Sequence, residues 1–423
     1  MKTMKLMLRF FMKNPFLLFF VLLEMLLTLA LFVEQFGALQ YETYTYDMYM
    51  NSDLSRCDHF SPELVSALSD NPGDAQTTAM RDLYATEGVA EVGEIINIPF
   101  WYESEYRKDP LNTRSSSLCL ISPSFFQTIP IELSDGSWFP EEDGQQSEVC
   151  VIAAGSDAEN YNVGETVPLI IIYNSLEGSG YMPEPYETIN VRIIGKLAEP
   201  AYFPSLRMSS TALEAADLFS SSGGLIVSPA QENIDRLSPY LIFGNSNRCK
   251  LIRYSDGLSG EELEKTRDSL RKWGILSTPE EIAENSRASI SKALGKRFSM
   301  VLFFLVISSF SMIASVIVTQ MKMYRNNAIY YLCGATAPRC FFLYSGVPIM
   351  SIGLLAVGAN LLRIAYMKAN RLDIGIRNMK MVLNGTTAAA LVAYFAVTVL
   401  VAILASYYVF RKNTPIESYR KNK

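Results

Sequence analysis

The chain has 423 residues, a formal net charge of −6 and a single histidine, His59. One histidine excludes a metal site built from several histidines, and it leaves a Ser-His-Asp triad with only one possible base. Its neighbours Cys57 and Asp58 are polar, and a solvated surface position is the favoured interpretation for His59. No G-x-x-x-x-G-K-[ST] motif occurs, because neither Gly-Lys pair is followed by Ser or Thr. We therefore expect no ATP hydrolysis by this chain, and we find no other catalytic or cofactor motif.

Four long apolar runs lie in the chain, one near its start and three near its end. Each approaches the ~20 residues that cross a hydrocarbon core of about 30 Å, and a globular domain rarely needs helices so uniformly apolar. The first run is longer than the apolar part of a signal peptide and no clear A-x-A site follows it, so we expect it to be retained. The sequence predicts a membrane protein with four transmembrane α-helices, at 15–36, 297–321, 341–362 and 386–410.

Basic residues predict the orientation of these spans. They are concentrated in 1–14, 322–340 and 411–423, and placing all three segments in the cytoplasm satisfies the positive-inside rule. Both termini are then cytoplasmic, and 1–14 is predicted to be an amphipathic helix on the membrane surface. The connection 363–385 must then be external although it carries five basic residues, either as a solvated loop or as a binding site for anionic headgroups or wall polymer.

The segment 37–296 is predicted to be an extracytoplasmic α+β domain inserted between the first two spans. It is long enough for one large domain or two small ones. Between Glu34 and Ile290 the chain has 40 acidic and 17 basic residues, which disfavours nucleic acid as a partner. Helices are predicted from Ser61, over 260–273, and from Thr278, where a helix could continue into the second span as one stalk. Short runs rich in β-branched residues predict strands at 94–101, 117–121, 148–153, 166–173, 188–197 and 249–254.

Four cysteines fall in the external segment. Their wide spacing is not that of a zinc site, and three of them lie in predicted strands. Core thiols are the default interpretation, and one disulfide is the alternative. These cysteines are Cys57, Cys119, Cys150 and Cys249.

Glu24 is the acidic residue nearest to the middle of a predicted span. An intramembrane carboxylate is a functional candidate by default, because burying its charge in lipid is costly. Glu24 could pair across the bundle, take up a proton, or remain a neutral, hydrogen-bonded residue of a helix interface.

Several motifs in this order resemble the FtsX/MacB-like permeases of ATP-binding-cassette (ABC) systems. The one-then-three arrangement of spans is that of the family. The stretches 87–92, 121–126 with 136–139, 161–167 and 191–195 are similar to the family's motifs in its external domain, and 414–420 is similar to its tail. The stretch 321–339 resembles the family's cytoplasmic coupling segment, with Gly334, Ala335, Thr336 and Arg339 matching and with Asn327-Ala328 in place of the usual Glu-Ile.

The resemblance implies a permease subunit of a bacterial plasma-membrane complex, paired as a homodimer or heterodimer and energised by a separate ABC ATPase. In such a complex, ATPase cycles move the external domain, for export or extraction of a peptide, lipid or lipoprotein. The alternatives are a regulator that acts on a cell-wall hydrolase, and an ATP-independent scaffold or receptor. The predicted contact with the ATPase is an apolar and aromatic helix face that ends at a glycine. Its residues are Tyr324, Ile329, Tyr330, Leu332, Gly334, Ala335, Thr336 and Arg339.

Overall fold

The structure is a computed structural model of the whole chain. It divides into two compact units, Met1–Gln40 with Ser291–Lys423, and Tyr41–Ile290. The predicted helix at 1–14, most of the predicted tail and the middle of the connection 363–385 lie outside the described residues. The structure describes residues 15–62, 86–108, 116–122, 125, 132–139, 148–159, 161–172, 186–198, 202–204, 213–220, 223–237, 250–342, 347–369 and 381–412.

The described elements alternate irregularly between helices and strands. The helices are α1 Pro15–Met50, α2 Glu103–Tyr106, α3 Ala215–Leu218, α4 Gln231–Leu237, α5 Gly260–Arg271, α6 Pro279–Leu332, α7 Ala337–Phe341, α8 Val347–Ala369 and α9 Gly385–Lys412. The strands are β1 Asp58–Pro62, β2 Val89–Tyr102, β3 Ser116–Ile121, β4 Leu133–Gly136, β5 Val149–Ala154, β6 Thr166–Ile172, β7 Tyr186–Leu197, β8 Phe203–Pro204, β9 Phe219–Ser220, β10 Gly224–Val227, β11 Lys250–Tyr254 and β12 Gly274–Ser277.

Among the described residues, four helices, α1, α6, α8 and α9, are long and apolar enough to cross a membrane, which is the number of spans that the sequence predicts. The chain therefore has the composition of a multi-pass membrane protein. The predicted stalk is also confirmed, because α6 is one unbroken helix of 54 residues. Helix α8 lies later in the chain than the predicted span 341–362: Phe341 belongs to α7, and Arg363 is a helical residue rather than the start of a loop.

The first unit has an apolar interior formed by all four long helices. Val21, Met25 and Leu29 of α1 and Met312 of α6 belong to one buried cluster, which α8 and α9 complete. Gly353 of α8 is needed for this packing, since a Cβ atom there would lie 2.2 Å from the ring of Phe395 on α9. The small residue leaves room for this ring between the two helices, and small residues are common where helices pack in lipid.

One end of α1 is joined to α8 and α9 by a group of contacts that we call the end cluster: Glu34, Gly37, Gln40, Arg363, Val382 and Thr387. Arg363 pairs with Glu34. Val382 donates its backbone N–H to the carbonyl of Gly37 over 2.9 Å, and the Thr387 hydroxyl lies 2.7 Å from Gln40 Oε1. Glycine permits this approach, because a Cβ atom at position 37 would lie 3.0 Å from the Val382 carbonyl oxygen.

The second unit contains a closed ring of six strands. Pairing runs from β2 to β3, β10, β5, β7 and β6, and β6 pairs with β2 again at Trp101 and Tyr102. The β3–β10 and β5–β7 pairs are parallel, and the other pairs of the ring are antiparallel. Residues that alternate along these strands, such as Leu118 and Leu120, fill the interior with apolar side chains.

The long strand β2 also carries a smaller layer, in the order β12, β1, β11 and β2. Helix α5 packs on this layer through Leu270, which shares a buried cluster with Phe60, Ile252 and Leu276. The start of α5 is fixed by a capping box, in which Ser259 and Glu262 satisfy each other's backbone N–H groups.

The six predicted strands are all present, within a few residues of their predicted bounds, and the predicted helix 260–273 is present as α5. The helix predicted from Ser61 does not begin there, because Ser61 and Pro62 pair with β12 as the last residues of β1. The rest of that prediction lies outside the described residues.

Candidate functional site

The residues of the predicted ATPase contact lie at the end of α6 and in the turn that follows it. Tyr324, Ile329, Tyr330 and Leu332 are all in α6, whose last residue is Leu332. Gly334 has φ +86°, a left-handed conformation that glycine adopts without a Cβ penalty. The prediction that Gly334 ends this helix is confirmed.

Part of this turn is exposed and part is anchored. Ile329 is 52% exposed, and the side chains of Thr336 and Arg339 are also exposed. Ala335 instead packs against the buried cluster of the helix bundle. The structure therefore leaves an apolar side chain accessible on α6, before this turn, and a positive charge accessible on α7, after it.

Phe341 is the anchor, and the sequence analysis did not assign it this role. It is 1% exposed and meets the ring of Tyr407 on α9 edge-to-face, with ring centroids 5.4 Å apart. Its neighbour Phe342 is 49% exposed. The buried Phe341 thus fixes the turn against α9, while the next aromatic residue is exposed. The sequence signal that could have identified this anchor is a Phe-Phe pair shortly after a Thr-x-Pro helix start.

Glu24 lies on α1, one helical turn from Thr28. One of its carboxylate oxygens is buried and has no hydrogen-bond partner among the residues that the structure describes. Thr28 shares a hydrogen bond of 2.9 Å with Ser308 of α6, so the face that carries Glu24 is the face of α1 that meets α6.

In the second unit, both long helices hold the same short segment, Leu213–Phe219. The hydroxyl of Tyr41 on α1 donates to the carbonyls of Ala216 and Phe219, over 2.9 and 3.0 Å. Tyr41 is 2% exposed, and burial raises the pKa of its hydroxyl, which therefore remains a donor.

Helix α6 holds the other end of this segment. Ala215 donates its backbone N–H to the hydroxyl of Ser286 over 2.9 Å, and Asn285 donates to the carbonyl of Leu213 over 3.3 Å. The two helices also contact each other, because Arg287 donates to the hydroxyl of Tyr46 over 2.6 Å. Both helices therefore form hydrogen bonds with one segment of the domain.

A buried ion pair joins β1 to α5. Arg267 makes two hydrogen bonds with Asp58, over 2.8 and 2.9 Å, and the hydroxyl of Tyr254 donates to the same carboxylate over 2.6 Å. Burial raises the pKa of Asp58, and its bonds with Arg267 and Tyr254 oppose that shift. The pair is satisfied and has no open position for a ligand, so we assign it to stability.

His59 is not a solvated residue, and that prediction is wrong. It is fully buried next to Tyr49, because β1 lies between β11 and β12 and turns this side chain inward. Burial lowers the pKa of His59 to about 4, although a hydrogen bond with the backbone of Leu54 opposes the shift. His59 is therefore a neutral core residue at neutral pH.

Three of the four cysteines of the predicted external segment are buried and form no disulfide, as the default interpretation predicted. They are Cys57, Cys119 and Cys150, and Cys249 lies outside the described residues. Burial raises the pKa of Cys57 to about 11, which keeps it a thiol. The Cys119 thiol donates to the carbonyl of Pro204 over 3.3 Å, so it is a structural contact between β3 and β8.

No protein-family model and no curated protein matches this chain. Among solved structures, the extracellular domain of the noncanonic ABC-type transporter YknZ from Gram-positive bacteria is 14% identical, with a TM-score of 0.27, over 50% of this chain and 87% of that one. The periplasmic region of MacB from Actinobacillus actinomycetemcomitans is 14% identical, with a TM-score of 0.28, over 54% and 91% of the two chains. A domain of a putative permease from Porphyromonas gingivalis is 13% identical, with a TM-score of 0.25, over 54% and 89%.

These scores are too low to establish a shared fold.

Proposed function

We propose that this chain is the permease subunit of an ABC complex, and that it converts the cycles of a separate ATPase into movement of its external domain. The observation that carries this proposal is the segment Leu213–Phe219, which Tyr41 of α1 and Ser286 of α6 hold from two sides. Because both helices belong to predicted membrane spans, any change in their spacing is delivered to one place in the domain.

The continuity of the helices supports transmission of force. Helix α1 is unbroken from Pro15 to Met50, and α6 is unbroken from Pro279 to Leu332. An α-helix without Pro or Gly pairs in its interior is rarely kinked, so displacement at one end reaches the other.

The turn after α6 is the proposed site where the ATPase binds. Ile329, near the end of α6, and Arg339, on α7, are exposed on either side of this turn, and Phe341 packs against α9. An apolar contact surrounded by charge is typical of a protein interface. Tyr324, Tyr330 and Leu332 on α6, with Gly334, Ala335 and Thr336 in the turn, complete the proposed contact.

This function requires the topology that the basic residues predict. The segments 1–14, 322–340 and 411–423 are cytoplasmic, where the ATPase is, and the unit Tyr41–Ile290 is external. The complex acts in a bacterial plasma membrane as a homodimer or heterodimer of permeases. Its work is the export or extraction of a peptide, lipid or lipoprotein, and the chain itself is not an enzyme.

Copurification from the native membrane tests the proposal. The full-length chain should retain an ABC ATPase, and Ile329→Glu or Arg339→Glu should weaken that association about tenfold or more. Trp273→Glu is the matched control, because Trp273 is an exposed apolar residue of the external unit and should leave the association unchanged. Absence of an ATPase, or an equal effect of the control, would refute a permease and favour a scaffold or receptor.

A crosslinking experiment then identifies what the external unit acts on. A photoreactive amino acid at the exposed residue Trp138 would report the molecules that approach this unit. Capture of a peptide, lipid or lipoprotein supports export or extraction. Capture of a cell-wall hydrolase would replace that part of the proposal with a regulator that uses the same coupling.

A further inference from the structure

The contact between α1 and α6 has a regular polar spacing. On α1, Glu24 and Thr28 are four residues apart and share one face. On α6, Ser308, Ser311 and Ser315 follow at spacings of three and four residues, which also places them on one face. Ser308 and Ser315 are buried, and Ser311 is partly buried. The two faces meet, because Thr28 and Ser308 share their hydrogen bond.

In this part of the bundle α1 and α6 run antiparallel. Thr28 meets Ser308, and Tyr394, which stacks on Phe32 further along α1, donates to the carbonyl of Val301, which is earlier in α6. The residue four positions before Thr28 on α1 therefore lies opposite the residue four positions after Ser308 on α6. This register places Met312 opposite Glu24, and Met312 is 1% exposed in the same apolar cluster as Val21 and Met25.

A thioether and methyl groups offer a carboxylate no hydrogen-bond donor. This explains why one oxygen of Glu24 is buried without a partner among the described residues. A buried, unsatisfied polar atom is costly, and it is more costly in lipid, so the observed register is not the one that best satisfies Glu24.

A second register would satisfy it. If α6 is displaced along α1 by three residues, Ser311 takes the place of Ser308 opposite Thr28. Ser315 then lies opposite Glu24, because Glu24 to Thr28 and Ser311 to Ser315 are both spacings of four. The displacement is about 4.5 Å, close to one helical turn. The carboxylate of Glu24 and the hydroxyl of Thr28 then both lie opposite serines, whose hydroxyls can donate to a carboxylate.

We propose that α6 slides along α1 between these two registers, with Glu24 and Ser315 as the pair that stabilises the second. Steps of about one turn between packed helices are a known form of conformational switch. The end cluster supports the proposal, since it fastens α1 to α8 and α9 by an ion pair, a backbone hydrogen bond and a hydroxyl contact. These end-cluster contacts do not include α6, so a slide of α6 along α1 leaves them intact.

Disulfide trapping in the full-length protein tests both registers with the same type of crosslink, from position 28 of α1 to one position of α6. In a Cys333→Ser background, the pair Thr28→Cys with Ser308→Cys traps the first register, and Thr28→Cys with Ser311→Cys traps the second. We expect mild oxidation in lipid nanodiscs to form both disulfides, which mass spectrometry identifies. Val306→Cys with Thr28→Cys is the control, because Val306 is exposed on another face and should not crosslink. Formation of the first disulfide alone would overturn the proposal.

The role of Glu24 has its own test. Glu24→Leu should reduce the second disulfide to the level of the control pair and leave the first unchanged. An equal yield of the second disulfide in Glu24→Leu would overturn the role assigned to Glu24.

A measurement without engineered crosslinks guards against variants that fail to fold. The distance between spin labels on the exposed residues Leu27 and Leu302 should have two populations that differ by at most about 4.5 Å. A single narrow distance distribution would overturn the slide. None of these three experiments needs an ATPase, so their outcomes are independent of the proposed function.

Discussion

The hydrogen bonds of Tyr41 offer the most direct test of how the helices hold the domain. Tyr41→Phe removes one hydroxyl that donates to the carbonyls of Ala216 and Phe219 and leaves the buried ring in place. Loss of a buried donor of this kind costs about 1–3 kcal/mol. The segment Leu213–Phe219 should therefore open ~5- to 150-fold more often than in the unmodified protein.

Hydrogen exchange of the backbone amides, followed by mass spectrometry on the full-length protein, measures this opening. Exchange should rise in residues 213–220 and stay unchanged in the strands of the closed ring. Tyr44→Phe is the matched control, because Tyr44 is on the same helix and 43% exposed, and it should have little effect. Equal effects of the two substitutions, or loss of protection across the whole ring, would refute the argument that Tyr41 holds this segment.

Three further predictions concern stability. Asp58→Asn should lower the free energy of unfolding by about 3–5 kcal/mol in denaturant titrations, because Arg267 then loses its buried counter-charge. Glu264→Gln is the control, because Glu264 is an exposed partner of Arg267, and it should cost less than about 1 kcal/mol. His59 has a folded pKa of about 4, below the ordinary 6.5, so its contribution is fully present above pH ~6.5 and is lost as the pH falls towards 4. That loss is on the order of 3 kcal/mol, and His59→Phe should flatten the corresponding slope of stability against pH; an unchanged slope would contradict it. Gly334→Ala should lower the free energy of unfolding by about 1 kcal/mol, because alanine is strained at the positive φ of this position. Gly385→Ala is the control and should be neutral, because a Cβ atom there meets no other atom and the φ is not positive. Equal melting temperatures of the two variants would contradict the strain argument.

The long apolar helices and the regular strands could be predicted from sequence because their signals are local. Runs such as 166–173 and 188–197 are rich in β-branched residues, and the structure has β6 and β7 there. The continuity of the stalk into α6 was also predictable, since no Gly pair or Pro interrupts it after Pro279.

The missed strands have physical reasons. β10 has four residues, Gly224–Val227, all buried, and so short an apolar run shows no alternation. β1 contains Asp58, His59 and Pro62, residues that are uncommon in strands, and its Ser-Pro-Glu end resembles a helix start. Its burial comes from β11 and β12, which are far away in sequence.

The contacts that matter most for the candidate site could not be predicted, because they join distant residues. Arg363 was placed in a loop on account of its charge, but Glu34 neutralises that charge and lets α8 continue to Ala369. Likewise, nothing near Tyr41 in sequence indicates that its hydroxyl reaches Ala216. Sequence patterns show which face of an element is buried, but they do not show which distant element covers it.

The length of α6 has a geometric consequence. A helix of 54 residues is about 81 Å long, whereas the hydrocarbon core of a bilayer is about 30 Å thick. More than half of this helix must therefore lie in water or in protein. A tilt of only about 10° around one end would carry the other end sideways by ~14 Å, several times the width of a side-chain contact. The length of α6 thus turns a small change of angle at one end into a large displacement at the other.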